Sequence, residues 1–422
     1  MNNFPLLKTI PAILSVCLLS ASVIAGPVST PANDFQAHTF GPGHENLSPG
    51  DNYAIYQWAL QNEGQLQLTG LQNRFESVDP FYASVLELAR EEGIRSPAVG
   101  PGNYEVVTTD AVPGIDINMR KAWEVYDSSA ADKRSVTVAI IDTGIDISHP
   151  ELKDAIWINE DEIPGDGIDN DGNGYIDDYY GWNFFADTNT VFVGGEDDHG
   201  THAAGTISAA RNNEGIAGIT SNQYVKIMPV KVLGTQQGIG DAESVIAGIR
   251  YAEANGASIC NLSFGTYTDY PQLKEVIQNS GMLFIISAGN GDYYGRGYDI
   301  DQSPVYPASY NLDNVITVSN LLFDGNLDGT SNFGAACVDI AAPGSYILSC
   351  TTNNSYGFMS GTSMSAPMVT GVAAMVYSYR TDLQLSEVKN VILNSAHKTE
   401  TLSGKNVSGG MLDAYAALTY GL

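Results

Sequence analysis

Basic residues are scarce in this chain of 422 residues. Lys and Arg number 19 against 48 Asp and Glu, a formal net charge of −29. Such a surface repels phosphate backbones and anionic headgroups, which argues against nucleic acid and acidic membranes as partners. It is compatible with Ca2+ binding. Long apolar runs are missing after residue 24, so no later segment is suited to cross a bilayer. Internal repeats are also missing. Only four cysteines occur. Cys17 lies in the N-terminal apolar run, and Cys260 in the apolar Ala257–Leu262, where it reads as a buried thiol. Cys337 and Cys350 flank Ala342-Pro343-Gly344-Ser345. A hairpin centred between Pro343 and Gly344 would set them opposite each other, so a disulfide and two separate thiols are both open.

What is present begins with the N-terminus. Lys8, a short apolar core and small residues near Ala25 form a secretory signal peptide over residues 1–25, which predicts an exported protein. Residues 26–50, rich in Pro, Gly, Asn and Ser, read as a prosegment or flexible linker. Residues 51–113 hold one helix-like stretch, Asp79–Gly93. From Val136 apolar, β-branched runs alternate with helical patterns. Strands are expected at Val136–Ile141, Lys226–Val232, Ala257–Leu262, Met282–Ile286 and Val315–Val318, with helices at Asp241–Asn255 and Leu273–Gln278. Continuously apolar strands alternating with helices predict a parallel sheet covered on both faces, with ligands at the carboxyl ends of its strands.

Chemically suggestive residues fall at those ends. Asp142 closes the first strand, Asn290 follows the fourth, and His199 stands in Asp198-His199-Gly200-Thr201-His202. Ser363 lies in Gly361-Thr362-Ser363-Met364-Ser365-Ala366-Pro367, just before a long apolar run. Alone, that segment reads as a helix N-cap. With the others it reads as a nucleophile at a helix start, where unpaired N–H groups and the dipole favour an oxyanion. Serine needs a base to take its proton, histidine is that base, and a carboxylate fixes the imidazole tautomer.

Asp142-Thr143-Gly144, His199-Gly200-Thr201-His202, Ala288-Gly289-Asn290 and Gly361-Thr362-Ser363-Met364 resemble the four signature blocks of the subtilisin family of serine peptidases, over roughly residues 114–420. The resemblance implies a three-layer α/β fold over residues 114–422 with an additional N-terminal segment. It implies Asp142, His199 and Ser363 as the triad and Asn290 as oxyanion donor. His202 and His149 match family positions without a proton-transfer role. Ser263, Phe264 and Gly265 resemble the strand that pairs with the substrate, and Tyr306–Tyr310 the far side of the specificity pocket, with Val305 near its base. No carboxylate is obvious there, although Asp292 and Asp301 are near in sequence. The expected partners are protein or peptide substrates, and the expected state is a monomer. A non-catalytic peptide binder is the rival reading. Broad proteolysis and processing of one partner protein are equally open.

Oxygen ligands at alternate positions predict a structural Ca2+ loop built from Asp166, Asp169, Asp171, Asn173, Asp177 and Asp178. It begins like an EF-hand at Asp169, but Tyr180 stands where the bidentate Glu belongs. A second, weaker candidate is Arg211–Ile216 with Glu151, which resembles a family calcium loop. Tyr56–Gly64 resembles the N-terminal arm of the family's catalytic domain, yet about fifty residues separate it from Gly114–Asn118. Either the arm carries an insertion or the stretch to about residue 110 is cleaved.

Overall fold

The computed structural model describes residues 57–64, 67–73 and 104–422, apart from 213, 221, 236, 293 and 294. The signal peptide, the segment 26–50 and the Asp79–Gly93 helix lie outside the described residues. Two strands, β1 (Gln67–Asn73) and β2 (Tyr104–Asp110), pair antiparallel as a ribbon of their own. A nine-stranded sheet follows. Its strands are β3 (Val136–Asp142), β4 (Trp182–Asn183), β5 (Val225–Lys231), β6 (Ile259–Leu262), β7 (Leu283–Ser287), β8 (Val315–Leu321), β9 (Ile340–Pro343), β12 (His397–Lys398) and β13 (Gly410–Met411). Their order is β12-β13-β9-β8-β7-β6-β3-β5-β4, and every neighbouring pair from β13 to β4 is parallel. β10 (Ile347–Thr351) and β11 (Ser355–Met359) form a separate hairpin.

Strand side chains alternate between two cores, which defines three layers. Val138, Ile140, Ile259 and Ile285 point to one face. That face is covered by α1 (Met119–Ser128), α2 (Asp198–Ser208), α5 (Thr362–Tyr379), α6 (Leu385–Asn394) and α7 (Ala414–Thr419). Ala139, Ile141, Cys260 and Phe284 point to the other, under α3 (Ala242–Ala254) and α4 (Pro271–Asn279). The strands and helices expected from Val136 onward are present with ends shifted by up to three residues, the largest shift being the extension of β8 to Leu321. Asp241 caps α3, accepting the Ser244 N–H at 2.8 Å. α5 is buried along nearly its whole length. It is an interior helix, which is why its sequence shows an apolar run instead of an amphipathic stripe.

The chain reverses direction across the sheet at β3. β5 lies on one side of it and β6 on the other, which opens a crevice at the carboxyl ends of these strands. Asp142 and Lys231 are the last residues of β3 and β5 and stand in register. Ser263 directly follows β6, and Asn290 lies three residues beyond β7.

The hairpin expected to pair Cys337 with Cys350 does not form. β9 lies between β8 and β13 inside the main sheet, whereas β10 pairs with β11 and sets Cys350 opposite Tyr356. The Pro-Gly turn connects two different sheets, so it cannot bring the cysteines together. Cys260, Cys337 and Cys350 are separate buried thiols. Burial pushes all three up in pKa, Cys337 to about 12. Intact mass is therefore expected to be unchanged by reduction, with all three alkylated only in denaturant. A mass increase on reduction would restore the disulfide.

Candidate active site

Asp142 is fully buried at the tip of β3. Its Oδ1 accepts the Thr143 N–H and lies 2.7 Å from His199 Nδ1. That contact sets the tautomer, because a ring nitrogen facing a carboxylate must carry the proton. His199 Nε2 is buried and has no hydrogen-bond partner. Burial pulls the imidazole pKa down, but the Asp142 charge and hydrogen bond outweigh it, so the net shift is upward.

His199 is in the first turn of α2, and a close approach fixes where that turn lies. The Gly200 N–H donates to Thr143 Oγ1 at 3.1 Å. A Cβ on Gly200 would sit 2.1 Å from the Gly144 carbonyl oxygen, so only glycine lets the helix meet the end of β3. Beneath this junction Lys231, fully buried, donates to the Thr143 carbonyl and bridges Asp197 Oδ1 at 2.6 Å and Glu196 Oε1 at 2.9 Å. One ammonium thus ties the strand end carrying Asp142 to the residues just before His199. Removing one partner of such a buried pair typically costs about 3–5 kcal/mol. Composition gave no hint of this role: Lys231 was one cation in an apolar strand, and its partners are distant in sequence.

Ser363 is not the cap of α5. Gly361 holds that place, and Ser363 lies inside the first turn. Pro367 brings no N–H to the Ser363 carbonyl four residues back. The Ser263 hydroxyl donates to that carbonyl at 3.0 Å instead. The Ser363 hydroxyl in turn donates to the Ser263 carbonyl at 3.0 Å, so the two serines are reciprocally bonded. Asn261 and Thr370 continue the network beneath them. Asn290 Oδ1 accepts both the Thr362 N–H at 2.8 Å and the Thr362 hydroxyl at 3.0 Å. With its oxygen doubly held, the amide presents Nδ2 as the donor. Thr362 was overlooked in the sequence; its place between the capping glycine and the serine is the signal that would have found it.

Ser263, Phe264 and Gly265 run on from β6, and Thr266 bridges Tyr306 antiparallel. Asp301 is engaged by the Ala336 and Cys337 N–H groups. His202 Nε2 is 2.9 Å from the Ile347 carbonyl, and burial lowers its pKa to about 3. His149 contacts the Ser355 carbonyl at 3.2 Å, and burial likewise lowers it.

The acidic loop gathers only part of its expected ligand set. Asp171 and Asp178 converge with Glu162, which the sequence reading left out, with carboxylate oxygens within 4.8 Å of one another. Asp178 and Glu162 are buried. Asn173 Nδ2 reaches both aspartates, at 3.0 and 3.1 Å. Asp169 instead accepts the Asn173 and Gly174 N–H groups. Asp177 accepts those of Gly165, Asp166 and Gly167, and Asp166 that of Ile168. These three shape the loop. At the second candidate, Arg211 pairs with Asp127 at 2.9 and 3.0 Å, and Glu151 accepts the Tyr356 hydroxyl at 2.8 Å. No metal-sized carboxylate group gathers there among the described residues.

Residues 133–414 match the subtilase family. The major intracellular serine protease of Bacillus subtilis is 36% identical over 280 residues, covering 66% of this chain and 78% of that protein. Subtilisin-like protease 1 of Plasmodium berghei is 32% identical over 323 residues, 72% of this chain, but the match spans only 53% of its own length. Among solved structures, a protease from Pseudoalteromonas arctica superposes with a TM-score of 0.54 at 27% identity, covering 72% of this chain and 93% of that one. The sheet with its crevice at β3 and the span of these matches agree: the chain belongs to the subtilase family of serine proteases.

Proposed function

We propose that the protein is an exported serine endopeptidase that cuts peptide bonds through Ser363, His199 and Asp142. The observation that carries this reading is the 2.7 Å Asp142–His199 contact, which leaves His199 Nε2 without a partner on a helix packed against the one that carries Ser363 in its first turn. On this reading the Ser363 hydroxyl turns from the Ser263 carbonyl to Nε2, which takes its proton as Oγ bonds to the scissile carbonyl carbon. The oxyanion is received by Asn290 Nδ2 and by the Ser363 N–H, since the Thr362 and Met364 N–H groups are already held by Asn290 Oδ1 and the Gly361 carbonyl. The C–N bond then breaks, His199 protonates the leaving amine, and water attacks the acyl-enzyme by the reverse proton path. Ser263–Gly265 supply the extended backbone against which the substrate lies. Export rests on the segment 1–25, in contrast to the Bacillus relative, which is an intracellular protease.

A fluorophosphonate is expected to label Ser363 of the protein recovered from culture medium, and Ser363→Ala is expected to take no label. Label on the alanine variant removes the catalytic claim, and label found only inside cells removes export.

The base must be neutral to act. Because Asp142 raises the His199 pKa, kcat/KM should fall on the acid side as a single protonation with a midpoint above the ordinary 6.5. The stabilisation from this ion pair has the opposite sense: it is present below that range and lost as pH rises through the folded value. His202, held near 3, stays out of this limb. A midpoint at or below 6.5 contradicts the assignment.

The acidic loop fits a hard cation. Three carboxylates converge, two of them buried, and among the described residues no Lys or Arg pairs with them. Glu162, Asp171 and Asp178, with Asn173 beside them, would hold Ca2+, which would neutralise their repulsion and brace the loop. EDTA is expected to lower Tm by about 5 °C, as for a site near saturation. Asp178→Asn is expected to abolish the response; an EDTA-insensitive wild type rules the site out.

A further inference from the structure

The approach to Ser363 rests on a turn that the N-terminal arm grips from the other side. That turn, Gly344-Ser345-Tyr346, links β9 to β10. Tyr346 has φ 55, a left-handed conformation that a residue with a Cβ keeps only where its surroundings fix it. Here both polar groups of the Ser345–Tyr346 peptide are held. Its carbonyl accepts the Trp58 Nε1–H at 3.0 Å, and its N–H donates to Ser360 Oγ at 2.8 Å. One residue earlier, the Gly344 carbonyl accepts the Gly361 N–H at 2.8 Å. There is no slack at Gly344: a Cβ there would lie 2.0 Å from Ser365 Oγ and 2.7 Å from the Gly361 carbonyl. From Gly361 the chain enters Thr362, which holds Asn290, and then Ser363.

Trp58 is itself firmly placed. It is fully buried, with its ring edge-on to Phe323 at 5.8 Å, and Phe323 is 6.3 Å from the Tyr346 ring. The backbone on either side is anchored independently of the indole. Gln57 exchanges two 2.9 Å hydrogen bonds with the Ala217 backbone, and the Ala59 carbonyl accepts the Ile117 N–H. The indole N–H therefore acts on a single peptide whose other side is gripped by Ser360, three residues before Ser363.

We propose that Trp58 is a positioning residue for the nucleophile. Through the Ser345–Tyr346 peptide it sets the Ser360–Ser363 approach, so the arm at residues 57–64 is part of the working enzyme and not a leader to be discarded. This rests on Ser363 being the nucleophile. Trp58→Phe keeps a ring in place and removes the N–H. It is expected to slow fluorophosphonate labelling of Ser363 about tenfold and to lower kcat with KM unchanged. Trp123→Phe removes a comparable indole bond, to the Ile219 carbonyl at 2.9 Å, away from this turn, and is expected to label at the wild-type rate. Ser360→Ala removes the other grip on the same peptide. Combined with Trp58→Phe, it should lose less than the product of the two single losses. Equal rates for wild type and Trp58→Phe overturn the proposal, as does an equal loss in Trp123→Phe or a strictly multiplicative double variant. A wild type that takes no label at Ser363 overturns the nucleophile assignment instead.

Discussion

The burial of α5 on every side is the constraint to which the rest of the site answers. A helix start normally leaves its first N–H groups to water, but this one begins inside the protein. Most polar groups near its first turn therefore meet protein, Ser365 Oγ being buried without a partner. Thr362 meets Asn290, and the Ser363 carbonyl, deprived of its helical donor by Pro367, meets Ser263. What remains for a substrate oxyanion is a small set of donors already held in direction. Preorganisation here follows from the same packing that stabilises the fold.

Charge is used differently in three places. At the strand ends, Lys231 is buried with Asp197 and Glu196 and acts as a fixed link between the elements bearing Asp142 and His199. At the Asp142–His199 contact, one carboxylate outweighs the cost of burying an imidazolium. In the acidic loop, Glu162, Asp171 and Asp178 gather, and among the described residues no Lys or Arg pairs with them, which is why a cation from solution is proposed there. The net charge of −29 does not distinguish these uses, since only burial and proximity decide what each acid does.

The arm extends this dependence beyond the matched span. Trp58 and Gln57 lie far upstream of residue 133, where the family match begins, yet they contact Ser345 and Ala217. A segment that looked separable in sequence is joined to the core by hydrogen bonds too specific in direction to be read from composition.

The sequence by itself determined the sheet class, the order of its major strands and helices, and the placing of Asp142, His199, Asn290 and Ser363 at element ends. These are local properties: apolar runs, punctuation and short motifs within a few residues of each other. Tertiary structure alone decided that Cys337 and Cys350 stay apart, that Glu162 joins Asp171 and Asp178, that Lys231 ties two distant segments, and that Gly361 is the cap while Ser363 faces Ser263. The cysteine, Lys231 and Ser263 contacts depend on which strands become neighbours, whereas Glu162 and the Gly361 cap are set by how one loop and one helix start fold. Strand neighbours are chosen by the packing of the whole sheet, so residues a hundred positions apart acquire partners that no local pattern encodes.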